Sequence, residues 1–255
     1  MSAGLDLTPA PGAASVPRRV LAYAAQELRQ QLRNGEQLLL TAVIPVGALI
    51  LFTQLPIVAF EGRPVDQVTP GVLALAVIST AFTGQAIATG FERRYGALKR
   101  LGATPLGRPG LLAGKTIAVL AVELLQLALL GAVALVLGWR PVGNVGSVVL
   151  LLVLGTAAFS GLGLLLAGAL RAEATLAAAN LIYVALLVLS GLLLPLQVFP
   201  APLATALQAL PSTALAAGLR DVLAAGAGLP VLELLVLAGW AVVALAAAVR
   251  TFRWE

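Results

Sequence analysis

The chain has 255 residues, of which 60% are hydrophobic and only 11% charged, with a mean hydropathy of +1.00. A soluble globular domain is about 45–50% apolar and about 25% charged, so this composition excludes an ordinary soluble enzyme and a disordered chain alike. The absence of cysteine and histidine excludes disulfides, thiolate chemistry, Cys/His metal sites and histidine-based triads, so no catalytic, cofactor-binding or metal-binding residues are expected in this chain.

Residues 1–16 are polar and rich in Pro and Ala, and are expected to form a disordered tail. No apolar h-region precedes the first long apolar run, so this stretch does not read as a secretory signal. Residues 17–255 read as a single membrane domain. Pro17–Gln37 reads as an amphipathic helix. Val20, Leu21, Ala24, Ala25, Leu28 and Leu32 recur at three- and four-residue spacing, and Arg18, Arg19, Arg29, Arg33 and Glu36 supply the polar side. Such a helix lies in the headgroup plane with its basic side chains toward anionic lipid. Asn34-Gly35 predicts a break before the first span.

A membrane-crossing helix needs about 20 mostly apolar residues. Six runs meet this: Leu38–Phe60, Val72–Phe91, Thr116–Gly138, Val145–Leu170, Ala174–Leu194 and Leu229–Val249. The expected fold class is an all-α polytopic membrane protein with six transmembrane helices. Pro45 and Pro56 predict a kink in the first run. Gly155, Ala157, Gly161, Gly163 and Gly168 predict one small face on the fourth.

The basic residues set the orientation. One side of a six-span topology holds Arg18, Arg19, Arg29, Arg33, Arg93, Arg94, Lys99, Arg100, Arg108, Lys115, Arg171, Arg250 and Arg253; the other holds only Arg63, Arg140 and Arg220. Positively charged loops stay inside, so both termini are expected in the cytoplasm of a multi-pass plasma-membrane protein. The pI near 10.4 is then a topology signal, and no nucleic-acid partner is expected.

The loop after the second run, Glu92 to Pro109, carries more pattern than an orientation anchor needs. Tyr95, Leu98 and Leu101 stand at i, i+3 and i+6, predicting one apolar edge on a short helix that Gly102, Pro105, Gly107 and Pro109 then stop. A short amphipathic helix below the bilayer suits a protein that pushes on, or is pushed by, a soluble partner. The stretch after the fifth run, Ser190 to Pro202, is followed by Leu203–Leu210, Pro211 and Ser212–Ala225. It is too apolar for a solvated loop and too broken by proline for a full span, which predicts re-entrant helices covered by protein.

Glu123 falls eight residues past Lys115, roughly 12 Å into the third run. An ionised carboxylate at that depth costs about 2.5–3.5 kcal/mol on insertion scales. It is either a cavity-facing or proton-linked group on a candidate translocation path with Gln85 and Asn180, or a neutral acid hydrogen-bonded to one of those two. Glu233 lies close enough to the outer edge of the last run to reach the interface and reads as structural.

Two stretches carry a family resemblance. Glu-Arg-Arg-x-Gly-x-Leu-Lys-Arg-Leu-x-x-Thr-Pro at Glu92–Pro105 resembles the segment after the second span of ABC-2 type exporter permeases. Ser190-Gly-(x)3-Pro-(x)3-Phe-Pro, followed by Leu210-Pro211 and Leu219-Arg220, resembles the late region of the same family. The resemblance runs from about Pro17 onward; Ala97 departs from the Thr that many members carry after the glycine. It implies a transmembrane subunit paired with a second permease, identical or homologous, and with two ABC ATPase subunits that bind ATP and Mg. It implies that Glu92, Arg93, Arg94, Tyr95, Gly96, Leu98, Lys99, Arg100 and Leu101 belong to an ATPase-coupling helix. It also implies an extracellular gate containing Pro195, Phe199, Pro200, Pro211 and Arg220.

These residues contain no Gly-x-x-x-x-Gly-Lys-Ser/Thr, so chemical energy must come from another chain or from an ion gradient. The expected function is the permease subunit of an ATP-driven exporter of an amphipathic or hydrophobic, drug- or lipid-like substrate. Membrane lipid is a further expected partner. The alternatives are a proton-coupled secondary carrier using Glu123, and a non-transporting membrane scaffold.

Overall fold

The structure, a computed structural model, describes residues 12, 14–54, 63–190 and 199–252. Most of the N-terminal tail, the far end of the first expected run (55–60), the end of the fifth (191–194) and the gate candidate Pro195 lie outside these residues. Every regular element among the described residues is helical. Five helical rods are long and apolar enough to cross a membrane: Pro64–Arg94, Gly107–Val136, Val145–Ala169, Ala172–Leu189 and Val231–Thr251; Thr41–Gln54 is a shorter apolar helix.

Helix α1 (Val16–Arg33) opens with Pro17 in its first turn, where a missing N–H costs nothing. It ends at Arg33, with Asn34 as the expected break, four residues sooner than the sequence-based end at Gln37, and α2 (Gly35–Gln54) begins at once and runs through Pro45. The second span starts earlier than expected, at Pro64. It consists of α3 (Pro64–Val77), a π-helical stretch (Ile78–Gly84) and α4 (Gln85–Arg94). Asp66, Gln67 and Thr69 interrupt the apolar run but not the helix: Pro64 occupies its first turn and the Thr69 hydroxyl donates to the Val65 carbonyl at 2.6 Å.

A six-residue helix, α5 (Ala97–Gly102), leads into α6 (Gly107–Val136), which starts nine residues before the expected Thr116. Gly107 and Pro109, read as stops, are instead the first turn of α6, where proline removes no intrahelical bond. Helices α7 (Val145–Ala169) and α8 (Ala172–Leu189) follow, then α9 (Ala201–Gln208), α10 (Pro211–Leu223) and α11 (Val231–Thr251). The proline-broken stretch is thus two short helices. α10 is buried along nearly its whole length and packs against α3, α7 and α11, while α9 buries only Leu207. The Trp240 indole N–H donates to the Ala209 carbonyl at 2.8 Å and pins the α9–α10 corner to α11.

Helix α7 is the hub, touching α11, the π stretch, α4, α10 and α6. Its small residues do not form the single face expected. A Cβ at Gly163 would lie 2.7 Å from the Phe82 carbonyl oxygen in the π stretch, and one at Gly161 would lie 2.9 Å from the Leu245 nitrogen in α11. Gly155 instead faces Leu215 of α10, and Gly168 faces Phe252. A central helix approached from several sides needs small residues in several directions.

Candidate coupling site

The second span passes into α5 through one special residue. Gly96 sits at φ 72°, a conformation that glycine alone adopts without strain, and its N–H donates to the Arg93 carbonyl at 3.0 Å. The far end of α5 is closed by the Thr104 hydroxyl, which donates to the Leu101 carbonyl at 2.6 Å.

The apolar edge expected from Tyr95, Leu98 and Leu101 is split. Tyr95 precedes α5, is 72% exposed, and stacks on Phe91 with ring centroids 6.2 Å apart. Leu98 is fully buried in a cluster with Tyr23 of α1, Leu111 and Leu112 of α6, Leu164 of α7, Ala248 of α11 and Phe252; Leu101 packs against the same cluster. The two leucines therefore anchor α5 inward. The surface left facing out is Arg94, Tyr95, Lys99 and Arg100.

Three consecutive residues just before this turn each grip a different helix. Glu92 pairs with Lys115 of α6 at 2.7 Å. Arg93 donates from Nη1 to the Gly168 carbonyl at 2.9 Å and from Nη2 to the Leu170 carbonyl, closing the C-terminus of α7 where a cation is favoured. Arg94 pairs with Glu173 in the first turn of α8. The base of α5 is thereby fastened to three successive spans.

Lys115 carries the tightest of these contacts. Its side chain is 1% exposed, and its Nζ donates to Oε1 of Glu27 on α1 at 2.6 Å while facing Glu92 on the other side. The Tyr23 hydroxyl donates to the second oxygen of Glu27 at 3.0 Å. Burial raises the Tyr23 pKa, keeping the phenol a donor. One ammonium thus holds two carboxylates in a water-poor site, and removing it would leave like charges facing each other. Close approach of α1 makes this possible: a Cβ at Gly114 would lie 2.5 Å from the Tyr23 ring. A polar cavity of about 30 Å³ adjoins the cluster, lined by Glu27, Gln31, Thr41, Thr80, Gln85 and Lys115 among others.

Neither Glu27, Lys115 nor Tyr23 was singled out from the sequence. A signal was present, because Glu27 lies three residues from Ala24 and four from Tyr23, on the face of α1 that is buried.

The candidate path residues are only partly brought together. Glu123 is 1% exposed and accepts a hydrogen bond from the Thr156 hydroxyl of α7, not from Gln85 or Asn180. Gln85 accepts from Ser160 at 2.9 Å, and Ser160 in turn lies 2.7 Å from the Thr116 hydroxyl. Asn180 is exposed on α8 and donates to its own helix at Leu176, so it stands apart from both. Gln126 ties three elements: it donates to the Thr41 carbonyl at 2.7 Å and accepts from Thr80 at 2.9 Å. Among the gate candidates, Phe199 and Pro200 lead into α9, Pro211 opens α10, and Arg220 lies in the last turn of α10.

A family model described as ABC-2 type transporter matches residues 18–224, from α1 through α10, including Glu27, Glu92 and Lys115. No curated protein matches the chain.

Proposed function

We propose, from the premise that the chain belongs to the ABC-2 type transporter family, that it is the permease subunit of an ATP-driven exporter. It is a multi-pass membrane protein, and permeases of its family work with an ABC ATPase. In this reading two ATPase chains bind ATP and Mg, a second permease completes the membrane part, and both termini of this chain lie in the cytoplasm. The substrate is amphipathic or hydrophobic, in keeping with spans that offer few polar groups.

The observation that carries the reading is the fastening of Glu92, Arg93 and Arg94 to α6, α7 and α8 directly above α5. A small helix with a buried apolar anchor and an exposed Tyr95, Lys99 and Arg100 is suited to receive a push. Three charged grips at its root would carry that push into three spans. Nucleotide binding in the ATPase need only favour one arrangement of this unit over another to bias the bundle.

The test is reconstitution with the ATPase chains and measurement of substrate-stimulated ATP hydrolysis and transport. Tyr95→Ala with Arg100→Ala should abolish the stimulation while the permease still inserts and folds. Undiminished coupled turnover in that variant would contradict the assignment of α5.

A further inference from the structure

Beside α5 lies an open groove of about 610 Å³, bordered on one side by residues of the coupling site and on the other by Arg171, which the coupling reading does not use. Arg93, Arg94, Lys99 and Arg171 line it, against a single carboxylate, Glu173, for a net charge of +3. Gly90 and Gly96 form part of its wall, so backbone rather than side chain borders the space. Ala172, the first residue of the 18-residue helix α8, lines it too and brings the positive end of that helix dipole to the cations.

The groove sits where two spans end: Arg94 closes the second and Ala172 opens the fifth. That is the level at which lipid headgroups lie. Along α8 beyond Glu173 the exposed residues Leu181, Val184 and Val188 stand at three- and four-residue spacing and form an apolar stripe, with Asn180 between it and the exposed Leu176. A cationic pocket at the headgroup level, continuous with an apolar wall running into the hydrocarbon, matches a phosphate with acyl chains attached. An acidic segment of a protein partner would satisfy the charge and leave the stripe unexplained.

We infer that this groove binds the phosphate of an anionic membrane lipid, with the lipid's chains lying along the exposed face of α8. The inference requires only that the chain spans a membrane, and holds with or without an ATPase partner. It concerns a lipid bound to the permease, not a substrate moved by it.

The test is native mass spectrometry of the full chain released from nanodiscs containing equal phosphatidylglycerol and phosphatidylcholine. Wild-type protein should retain phosphatidylglycerol preferentially. Arg171→Glu should lower that preference about tenfold or more, since the change removes a cation from the groove and puts an anion in its place. Arg171→Ala should give a smaller loss and Arg171→Lys should keep the preference. Arg140→Glu, an equal charge change on an exposed residue at the opposite end of the spans, should leave it intact. The inference is overturned if the wild type retains both lipids equally, or if Arg171→Glu and Arg140→Glu behave alike. It is also overturned if inorganic phosphate displaces the lipid, which would assign the groove to a soluble anion. Loss of ATPase copurification in Arg171→Glu with unchanged lipid preference would assign it to a protein partner instead.

Discussion

Lys115 Nζ lies 2.6 Å from Glu27 Oε1, joining the helix that precedes the first span to the third span at a point almost sealed from water. Glu92 faces the same ammonium at 2.7 Å, so the contact also reaches the residue that leads into α5. A buried cation between two carboxylates is strongly asymmetric under mutation. Lys115→Met should destabilise the protein by about 3–5 kcal/mol, because two uncompensated carboxylates remain. The triple variant Lys115→Met, Glu27→Gln, Glu92→Gln should recover most of that loss, since no buried charge is then left alone. Thermal unfolding in detergent reads both; a triple variant no more stable than Lys115→Met would show that the three charges do not act as a unit.

The two glycines Gly114 and Gly131 of α6 make an internal comparison. A Cβ at Gly114 would strike the Tyr23 ring, whereas nothing lies within 4 Å of one at Gly131. Gly114→Ala should cost about 1–3 kcal/mol by overpacking and push α1 away from α6. Gly131→Ala should stabilise by about 0.5–1 kcal/mol, the usual gain from removing a helix-interior glycine. The same unfolding measurement checks the sign of each.

Leu98 and Tyr95, three residues apart, should separate stability from coupling. Leu98 is fully buried, so Leu98→Ala should destabilise by about 2–5 kcal/mol. Tyr95 is largely exposed, so Tyr95→Ala should change stability by no more than about 0.5 kcal/mol while reducing substrate-stimulated ATP hydrolysis. Equal destabilisation by the two would mean that the inward and outward faces of this segment are assigned the wrong way round.

Glu123 bears on the choice of energy source. It accepts from Thr156, and its Oε1 has no hydrogen-bond partner among the described residues. Under the ATP-driven reading, Glu123→Gln keeps the shape of the site and should retain nucleotide-dependent transport. Wild-type vesicles given a pH gradient and no nucleotide should show no transport. Uptake under the gradient alone, lost in Glu123→Gln, would favour the proton-coupled carrier.

Run length and charge placement made the helical membrane architecture legible, because bilayer thickness and backbone satisfaction leave a long apolar run few other choices. The Asn34 break and the two short helices around Pro211 were legible for the same kind of local reason. Helix starts at Pro64 and Gly107 were not, since proline and glycine that end a helix in its interior are tolerated in its first turn. The inward turn of Leu98 was hidden as well: spacing reveals an apolar edge but not whether the rest of the chain supplies the pocket for it. Glu27, Glu92 and Lys115 meet only through tertiary packing, across separations that no short motif spans. Asn180 shows the converse, a polar residue in an apolar run that bonds to its own backbone and faces outward.

The central claim is that a nucleotide-driven neighbour grips the outward side of the Tyr95–Arg100 segment. The absence of native cysteine makes single-cysteine crosslinking the most direct test. In the complex with its ATPase chains, Tyr95→Cys should crosslink to an ATPase subunit with a yield that changes with bound nucleotide, while Leu181→Cys on the outer face of α8 should not. Free labelling of Tyr95→Cys by a water-soluble maleimide in every nucleotide state, with no crosslink formed, would contradict it.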